Sequence, residues 1–400
     1  MITSMTAEIA VMNPQGVAIA ADSAVTIGKK TYYTAQKVFS LSKAHAVGIM
    51  IYSSSTFMDI DWEILINEFS KDRGDRFLPT LKEYVEYFIT FLKDFPHITD
   101  ERQKKYLGFL SYTFFDTIKD RYNDDVAENY QDQEITKAQQ TRILAGILKK
   151  IREQLEKEEW STNFTDDGFV KDNRAIIEDR MKKALSDFAV KDKMKEEMVE
   201  LFLLDLVKAE IAWGWNEYSG IVFAGYGDKE LFPSIVEYRM YGKLGKNVLH
   251  MLLGEGDIKD SDDAWIAPFS QTKTIRSFIM GIHPDFKDKI SEELEKLTGE
   301  ILDITGKKYT EEINKLKDGL KQRIDDYETD TFRSPVFDIV NSLPTSNLAE
   351  MAEALINLTA LRQTVSTEEQ SVGGPTDVAL ITKADGFVWI KKKQLFQSAG

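Results

Sequence analysis

The sequence predicts an α+β protein, with antiparallel hairpins at both ends of the chain and long charged helices between them. Three observations lead there. Near the N-terminus two apolar runs, Ile9 to Met12 and Val17 to Ala21, flank Asn13-Pro14-Gln15-Gly16, and that turn chemistry reads as a β-hairpin. Near the C-terminus Asp377 to Ile381 and Gly386 to Ile390 flank Ala384-Asp385-Gly386 and should close a sheet. From about Thr80 to Trp215 apolar residues instead recur on a charged background with the helical period of about 3.6.

The first hairpin carries chemistry. Because its strands run antiparallel, Thr6 at the start of the first and Asp22 at the end of the second should meet at one edge. Lys37 stands just before Val38-Phe39-Ser40-Leu41, a further strand that begins where the lysine could face the hairpin's open end. These are the parts of an N-terminal threonine nucleophile. A threonine hydroxyl is weak at its ordinary pKa, and a free α-amine, with a pKa of about 7.7 to 8.0, can take its proton when both belong to one residue. A nearby lysine favours the neutral amine by charge repulsion, and an aspartate fixes the lysine.

Taken in order, the chain opens with strand, turn, strand, loop, strand and a strand from Ala46 to Tyr52. Ser53-Ser54-Ser55-Thr56 then offers an N-cap for an amphipathic helix through Trp62, Ile64, Leu65 and Phe69. Tyr84, Tyr87, Phe88, Phe91 and Leu92 form one apolar stripe, and Ile143, Leu144, Ile147, Leu148, Ile151 and Leu155 form another. A denser helix around Met198 to Val207 precedes Trp213 and Trp215. Ile221 to Gly227 and Ile235 to Tyr241 read as strands, and the acidic stretch Glu255 to Asp263 as a solvated linker. Ala264 to Phe269 reads as a strand leading through Ser270-Gln271-Thr272 into a helix carrying Ile275, Phe278, Ile279 and Ile282. Residues 284 to 330 are again charged and helical. Leu348 to Leu361 is an amphipathic helix before Glu369 and the turn Ser371-Val372-Gly373-Gly374-Pro375.

Thr6, Gly16-Val17-Ala18-Ile19-Ala20-Ala21-Asp22-Ser23 and Lys37-Val38 together resemble the proteasome β-subunit branch of the N-terminal nucleophile (Ntn) hydrolases, with weaker similarity at 221–227, 232–241 and 371–378. The resemblance implies a four-layer αββα sandwich of two antiparallel sheets with helical insertions, and alternation in both terminal hairpins suits face-to-face sheets. The implied division is core over 1–79, a helical insertion over 80–215, middle strands and a helix over 216–283, a second helical insertion over 284–345, and the last helix with the closing strands over 346–400. It also implies catalytic roles for Thr6, Asp22, Lys37, Ser270, Glu369 and Ser371, with backbone N–H groups at Tyr52 and Ser53 as the oxyanion hole. For Ser270 a plain N-cap is the other option. Thr6 would gain a free amine either by translation starting at Met5, whose methionine is then removed, or by self-cleavage before Thr6.

The implied activity is cleavage of a peptide or other amide bond through an acyl-enzyme on Thr6, without cofactor or metal, in a homo-oligomer. The alternatives are a catalytically silent copy of the fold, acting as a scaffold or partner-binding module through its helical insertion, and a self-assembling shell. Composition sets outer limits. The 400 residues, 42% of them hydrophobic, can bury a sizeable core, and a net charge of −15 argues against nucleic acid or an anionic membrane as partner. The absence of cysteine removes disulfides, thiolate metal sites and cysteine nucleophiles. His45, His97, His250 and His283 lack metal-ligand spacing. No apolar run is long enough to span a bilayer and the N-terminus lacks a signal-peptide pattern, so the expected place is the cytoplasm.

Overall fold

The computed structural model describes residues 6–27, 30–42, 44–74, 76–130, 134–159, 161–188, 190–208, 218–259, 263–306, 308–366 and 372–393. The chain is a mixed α+β structure with two antiparallel five-stranded sheets and many helices. Its first part supplies strands β1 (Ala7–Asn13), β2 (Gly16–Ala21), β3 (Val25–Ile27), β4 (Lys30–Tyr32), β5 (Val38–Ser40), β6 (Val47–Ser53), β7 (Thr56–Phe57) and β8 (Ile60–Asp61). Helices α1 (Trp62–Arg73), α2 (Leu81–Asp94), α3 (Asp100–Asn129), α4 (Lys137–Lys157), α5 (Phe169–Asp172), α6 (Arg174–Ala184) and α7 (Asp192–Lys208) follow. Then come β9 (Ser219–Gly225), β10 (Ser234–Leu244), β11 (Asn247–Asp257), β12 (Trp265–Ser270), α8 (Lys273–Met280), α9 (Pro284–Thr305), α10 (Thr310–Glu328), α11 (Ser334–Ser342), α12 (Thr345–Thr364), β13 (Asp377–Thr382) and β14 (Gly386–Lys391).

One sheet has the order β12-β1-β2-β13-β14, so the N-terminal hairpin lies at its centre, and the other has the order β11-β10-β9-β6-β5. Strand periodicity divides their side chains. Ala10, Met12, Val17 and Ile19 of the first sheet share a core with Val38, Met50, Val222 and Ala224 of the second, so the sheets meet face to face. On the far side of the first sheet, Ile9, Val11, Ala18 and Ala20 pack on Ile275, Leu348, Ala352 and Leu355 of α8 and α12. Beyond the second sheet, Ile49, Ile221, Phe223 and Val236 pack on Trp62, Leu65, Phe69, Tyr84 and Phe88 of α1 and α2. The order through the molecule is helices, sheet, sheet, helices. Helices α3, α4, α6 and α7 form a further core that reaches β10 and β11 through Tyr241, Leu244, Leu249 and Met251.

The tip of the first hairpin is tied to this framework by Asn13, whose Nδ2 donates to Val340 O and Leu343 O, each at 2.9 Å. Three elements differ from their sequence expectation. Helix α1 begins later than the serine run, at Trp62 after Asp61, because Met58 and Asp59 take positive φ values of 53° and 61° and turn the chain into the short β7–β8 hairpin. Strand β11 takes in Glu255, Gly256 and Asp257, which the charge pattern assigned to a linker; they pair with Val236, Ile235 and Ser234. Residues 329–333 form a π-helical turn between α10 and α11. Trp213 and Trp215 lie outside the described residues.

Gly220 marks a close approach between the sheet backbone and the buried Tyr52 ring. A Cβ there would lie 1.9 Å from Tyr52 Cζ. Gly220→Ala should therefore overpack the space between the sheets and lower unfolding stability by about 1–3 kcal/mol in a denaturant titration. Ala at the exposed helical position Gly146, which has open space around it, should raise it slightly.

Candidate active site

Asp22 is the point at which the site is assembled. The β1–β2 register pairs Glu8 with Ala21, which sets Ala7 beside Asp22, and Asp22 N donates to Ala7 O at 3.1 Å. The carboxylate turns back on the same strand. Oδ1 accepts from Ala7 N at 3.1 Å and from Lys37 Nζ at 2.7 Å, while Oδ2 accepts from Ala24 N at 3.2 Å and Gly373 N at 2.9 Å. Both members of the Lys37–Asp22 pair are buried, with side-chain exposures of 5% and 1%. A buried ion pair is tolerable only when its remaining lone pairs are satisfied, and here three backbone donors do that. Lys37 is held from behind because its carbonyl accepts from Ile51 N at 2.9 Å, fixing its backbone to β6.

Thr6 is fully buried at the end of β1, next to this pair. Its nitrogen donates to Ser270 Oγ at 3.4 Å, its carbonyl accepts from Gln271 N at 3.1 Å, and its Oγ1 has no hydrogen-bond partner. Ser270 is the last residue of β12, opposite Ala7 in register, and has a φ of +61°. The residue at the N-cap of α8 is Thr272, without a side-chain cap bond, so Ser270 faces the Thr6 nitrogen and is not the helix cap. Glu369 and Ser371 lie outside the described residues. Just beyond them Gly373 is in place, giving its N–H to Asp22 and accepting from Ser23 N at 3.3 Å.

Ser53, at the end of β6, has a φ of +67°. Alternation along β6 turns the N–H of Ser53 to the side on which Ile51 N donates to Lys37, and the N–H of Tyr52 toward β9, where Tyr52 pairs with Gly220. A pocket of about 260 Å³ is lined by Lys37 and Ser53 together with Ser54, Ser55, Asp61 and Trp62.

Sequence reasoning missed a set of buried and half-buried polar side chains between the sheets. Glu8 is fully buried and neither of its carboxylate oxygens has a hydrogen-bond partner. Burial pushes its carboxyl up to about 8 against the lowering effect of Lys37, with Asp22 and Glu237 adding to the rise. Tyr52 Oη donates to Glu237 Oε1, and burial followed by the charge of Glu237 raises the phenol above its ordinary range. Burial also raises Glu237. Arg239 lies over the Tyr218 ring, 4.6 Å from its centre. One signal for Glu8 is in the sequence: it has the same strand parity as Thr6, Ala10 and Met12, all of which face inward. Among the described residues no group of three or more His, Asp or Glu side chains could hold a metal ion, and no helix is long and apolar enough to cross a membrane.

No protein family matches the sequence, and no curated protein matches it. Among solved structures, Anbu from Hyphomicrobium sp. strain MC1 is similar, at 9% identity over 97% of this chain and 86% of that one, with a TM-score of 0.31. The Gly-1 mutant of the same protein has 9% identity over the same shares and a TM-score of 0.29. Anbu, described as an ancestral beta-subunit, from Yersinia bercovieri has 9% identity over 97% of this chain and 88% of that one, with a TM-score of 0.30. Likeness at this level leaves function to the chain's own residues.

The geometry at Asp22 predicts unequal effects of removing its partners. Asp22→Ala leaves a buried ammonium and three backbone N–H groups without an acceptor and should cost about 3–5 kcal/mol of stability. Asp22→Asn keeps acceptor capacity and should cost less. Chemical unfolding of the two variants side by side checks the order.

Proposed function

We propose that this chain is a proteasome-like N-terminal threonine hydrolase that cleaves a peptide or other amide bond through an acyl-enzyme on Thr6. The observation that carries this is the Asp22 carboxylate, which joins Lys37 to Ala7, the residue after Thr6. In this proposal the fold is the four-layer αββα sandwich of that class, and helices within 80–215 and 284–345 are insertions.

With Thr6 at the terminus, its amine takes the Oγ proton as Oγ attacks the amide carbon. The carbonyl oxygen becomes an oxyanion, for which the Ser53 N–H, on the Lys37 side of β6, is the proposed donor. Collapse breaks the C–N bond; the leaving nitrogen takes the proton from the Thr6 ammonium, and an ester on Oγ remains. Water then gives a proton to the same amine, attacks the ester carbon and releases the acid, and Oγ regains its proton. The Lys37 ammonium, held by Asp22, favours the neutral amine at the start of each half. Ser270 is proposed to orient the Thr6 nitrogen, and Glu369 and Ser371 to complete its surroundings.

A second reading, a catalytically silent scaffold, is favoured by one observation. Thr6 is fully buried, its Oγ1 is unpartnered, and Thr6 is absent from the lining of the pocket beside Lys37. A chain started at Met5 decides between them. It should lose Met5 by intact mass and react at Thr6 with an epoxyketone or β-lactone. Thr6→Ala should abolish labelling, and Lys37→Ala should slow it by roughly 10²-fold or more. A free Thr6 terminus with neither labelling nor turnover of a broad peptide and acyl-amide library would establish the scaffold instead.

Self-association belongs to the same proposal. Helices α9 and α10 expose Leu297, Ile304, Leu316 and Tyr327 at 52%, 85%, 70% and 64%, an unusual apolar display for helices otherwise rich in charge. Light scattering should give a mass that is a multiple of one chain, falling toward a single chain when Ile304 and Leu316 are changed to Glu.

A further inference from the structure

The buried carboxyl of Glu8 has no part in the chemistry above, yet it lies beside the groups that do. Thr6 and Glu8 are two residues apart on the edge of β1, so both face the space between the sheets. Glu8 pairs in register with Ala21 on one side and Phe269 on the other, one step along the ladder from Asp22 and Ser270. Three ionisable groups from three other elements face it: Lys37 before β5, Asp22 after β2 and Glu237 on β10. Behind Glu237 stand Tyr52 on β6, which donates to it, and Arg239 on β10. Helices supply none of these neighbours. A fully buried carboxyl with two unpartnered oxygens is costly in its charged form, and Lys37 is the cation whose field it feels most.

We propose that Glu8 is a positioning residue for Lys37: its neutral carboxyl leaves the lysine ammonium on Asp22, and its ionisation draws that ammonium toward Glu8 and away from Asp22. The coupling concerns Lys37 whatever the chain does. Its consequence for catalysis rests on the threonine hydrolase reading, because only there does the direction of Lys37 govern the Thr6 amine.

The sign of the pH dependence follows from burial. Glu8 titrates near 8 in the folded chain and near the ordinary glutamate value of about 4.3 when unfolded. Between those values the folded state holds a proton that the unfolded state has lost. The contribution of Glu8 to stability therefore falls as pH rises from about 4.3 and levels off above about 8. Glu8→Gln removes that fall while keeping the shape.

The test has two arms. In the first, infrared difference spectra of the whole chain between pH 5 and 9 should show a protonated carboxyl band, absent in Glu8→Gln, that disappears with a midpoint near 8. Over the same range, nitrogen NMR of labelled lysine, with Lys37 assigned from Lys37→Arg, should show a step for Lys37 Nζ at that midpoint and none in Glu8→Gln. Melting temperatures should diverge as pH rises, with Glu8→Gln the more stable at pH 8. An ionised Glu8 at pH 6, or a Lys37 signal that ignores the Glu8 titration, overturns the proposal. In the second arm, labelling of Thr6 in the Met5-start chain should have an alkaline limb near pH 8 that Glu8→Gln lacks and Glu8→Asp restores. An alkaline limb that survives in Glu8→Gln also overturns the proposal. Lysine coupling in the first arm, with no labelling at any pH in the second, supports the Glu8–Lys37 link while overturning the hydrolase reading.

Discussion

The interaction on which the site depends is the acceptance of four donors by one buried carboxylate. Asp22 takes Ala7 N and Lys37 Nζ on Oδ1 and Ala24 N and Gly373 N on Oδ2, and so fastens β1, the segment after β2, the residue before β5 and the turn before β13 at a single point. The Coulomb attraction of the buried pair is set against the loss of hydration of both charges, and alone it would give little net stability. Completeness changes that balance. Each oxygen has two partners, so no part of the carboxylate's desolvation goes uncompensated, and every partner lost would expose that cost. Lys37 is thereby directed at the same oxygen that holds Ala7 N, next to Thr6.

One step along the ladder, at Glu8, the rule is reversed. In a core between the sheets that is otherwise aliphatic and aromatic stand Glu8, Tyr52, Glu237 and Arg239, and neither carboxylate oxygen of Glu8 has a hydrogen-bond partner. An apolar side chain at Glu8 would pack against its register partners Phe269 and Ala21 without that penalty. These polar groups gather around Glu8, near Lys37, while at the other end of the hairpin Asn13 Nδ2 donates to main-chain carbonyls and its Oδ1 accepts from Gln15 N. Departures from local consistency that gather at one place mark where a fold has been bent to another requirement.

How much of this could be read from the chain depends on how local each cause is. The terminal hairpins follow from alternation and turn residues within a dozen positions, and the nearness of Thr6 to Asp22 follows from antiparallel pairing across one turn. The link from Lys37 to Asp22 was legible as chemistry, since a threonine nucleophile activated by its own amine calls for a lysine nearby and an aspartate to fix it. Ser270 was half legible: its strand and helix could be placed, but its choice of Thr6 over the α8 N-terminus depends on pairing between β1 and β12 across more than half the chain. Glu8 and Glu237 were hidden because a charge in a strand ordinarily faces water, and here both faces of each strand are covered. Strand β11 was hidden by composition, since Val248 to Leu253 fits a buried helix as well as a strand, and its acidic end looks solvated until it is paired with β10.

The described geometry is that of a Thr6 still joined to Met5, and this explains its hydrogen bonding. A peptide nitrogen has its lone pair delocalised into the carbonyl, so it can donate to Ser270 but accept from nothing. Thr6 Oγ1 therefore has no base beside it and is left without a partner. Cleavage before Thr6 would change the nitrogen from a donor to a group that both donates and accepts, without moving β1, because Gln271 N and the Asp22 carboxylate hold the strand through Thr6 O and Ala7 N. The new amine would arise near a lysine paired with Asp22, and a nearby positive charge favours the neutral, proton-accepting form. On the proposed hydrolase reading the framework is preorganised around a nucleophile that the uncut chain would withhold, and the difference between the two states that matters to that chemistry is whether the lone pair of the Thr6 nitrogen is free to take a proton.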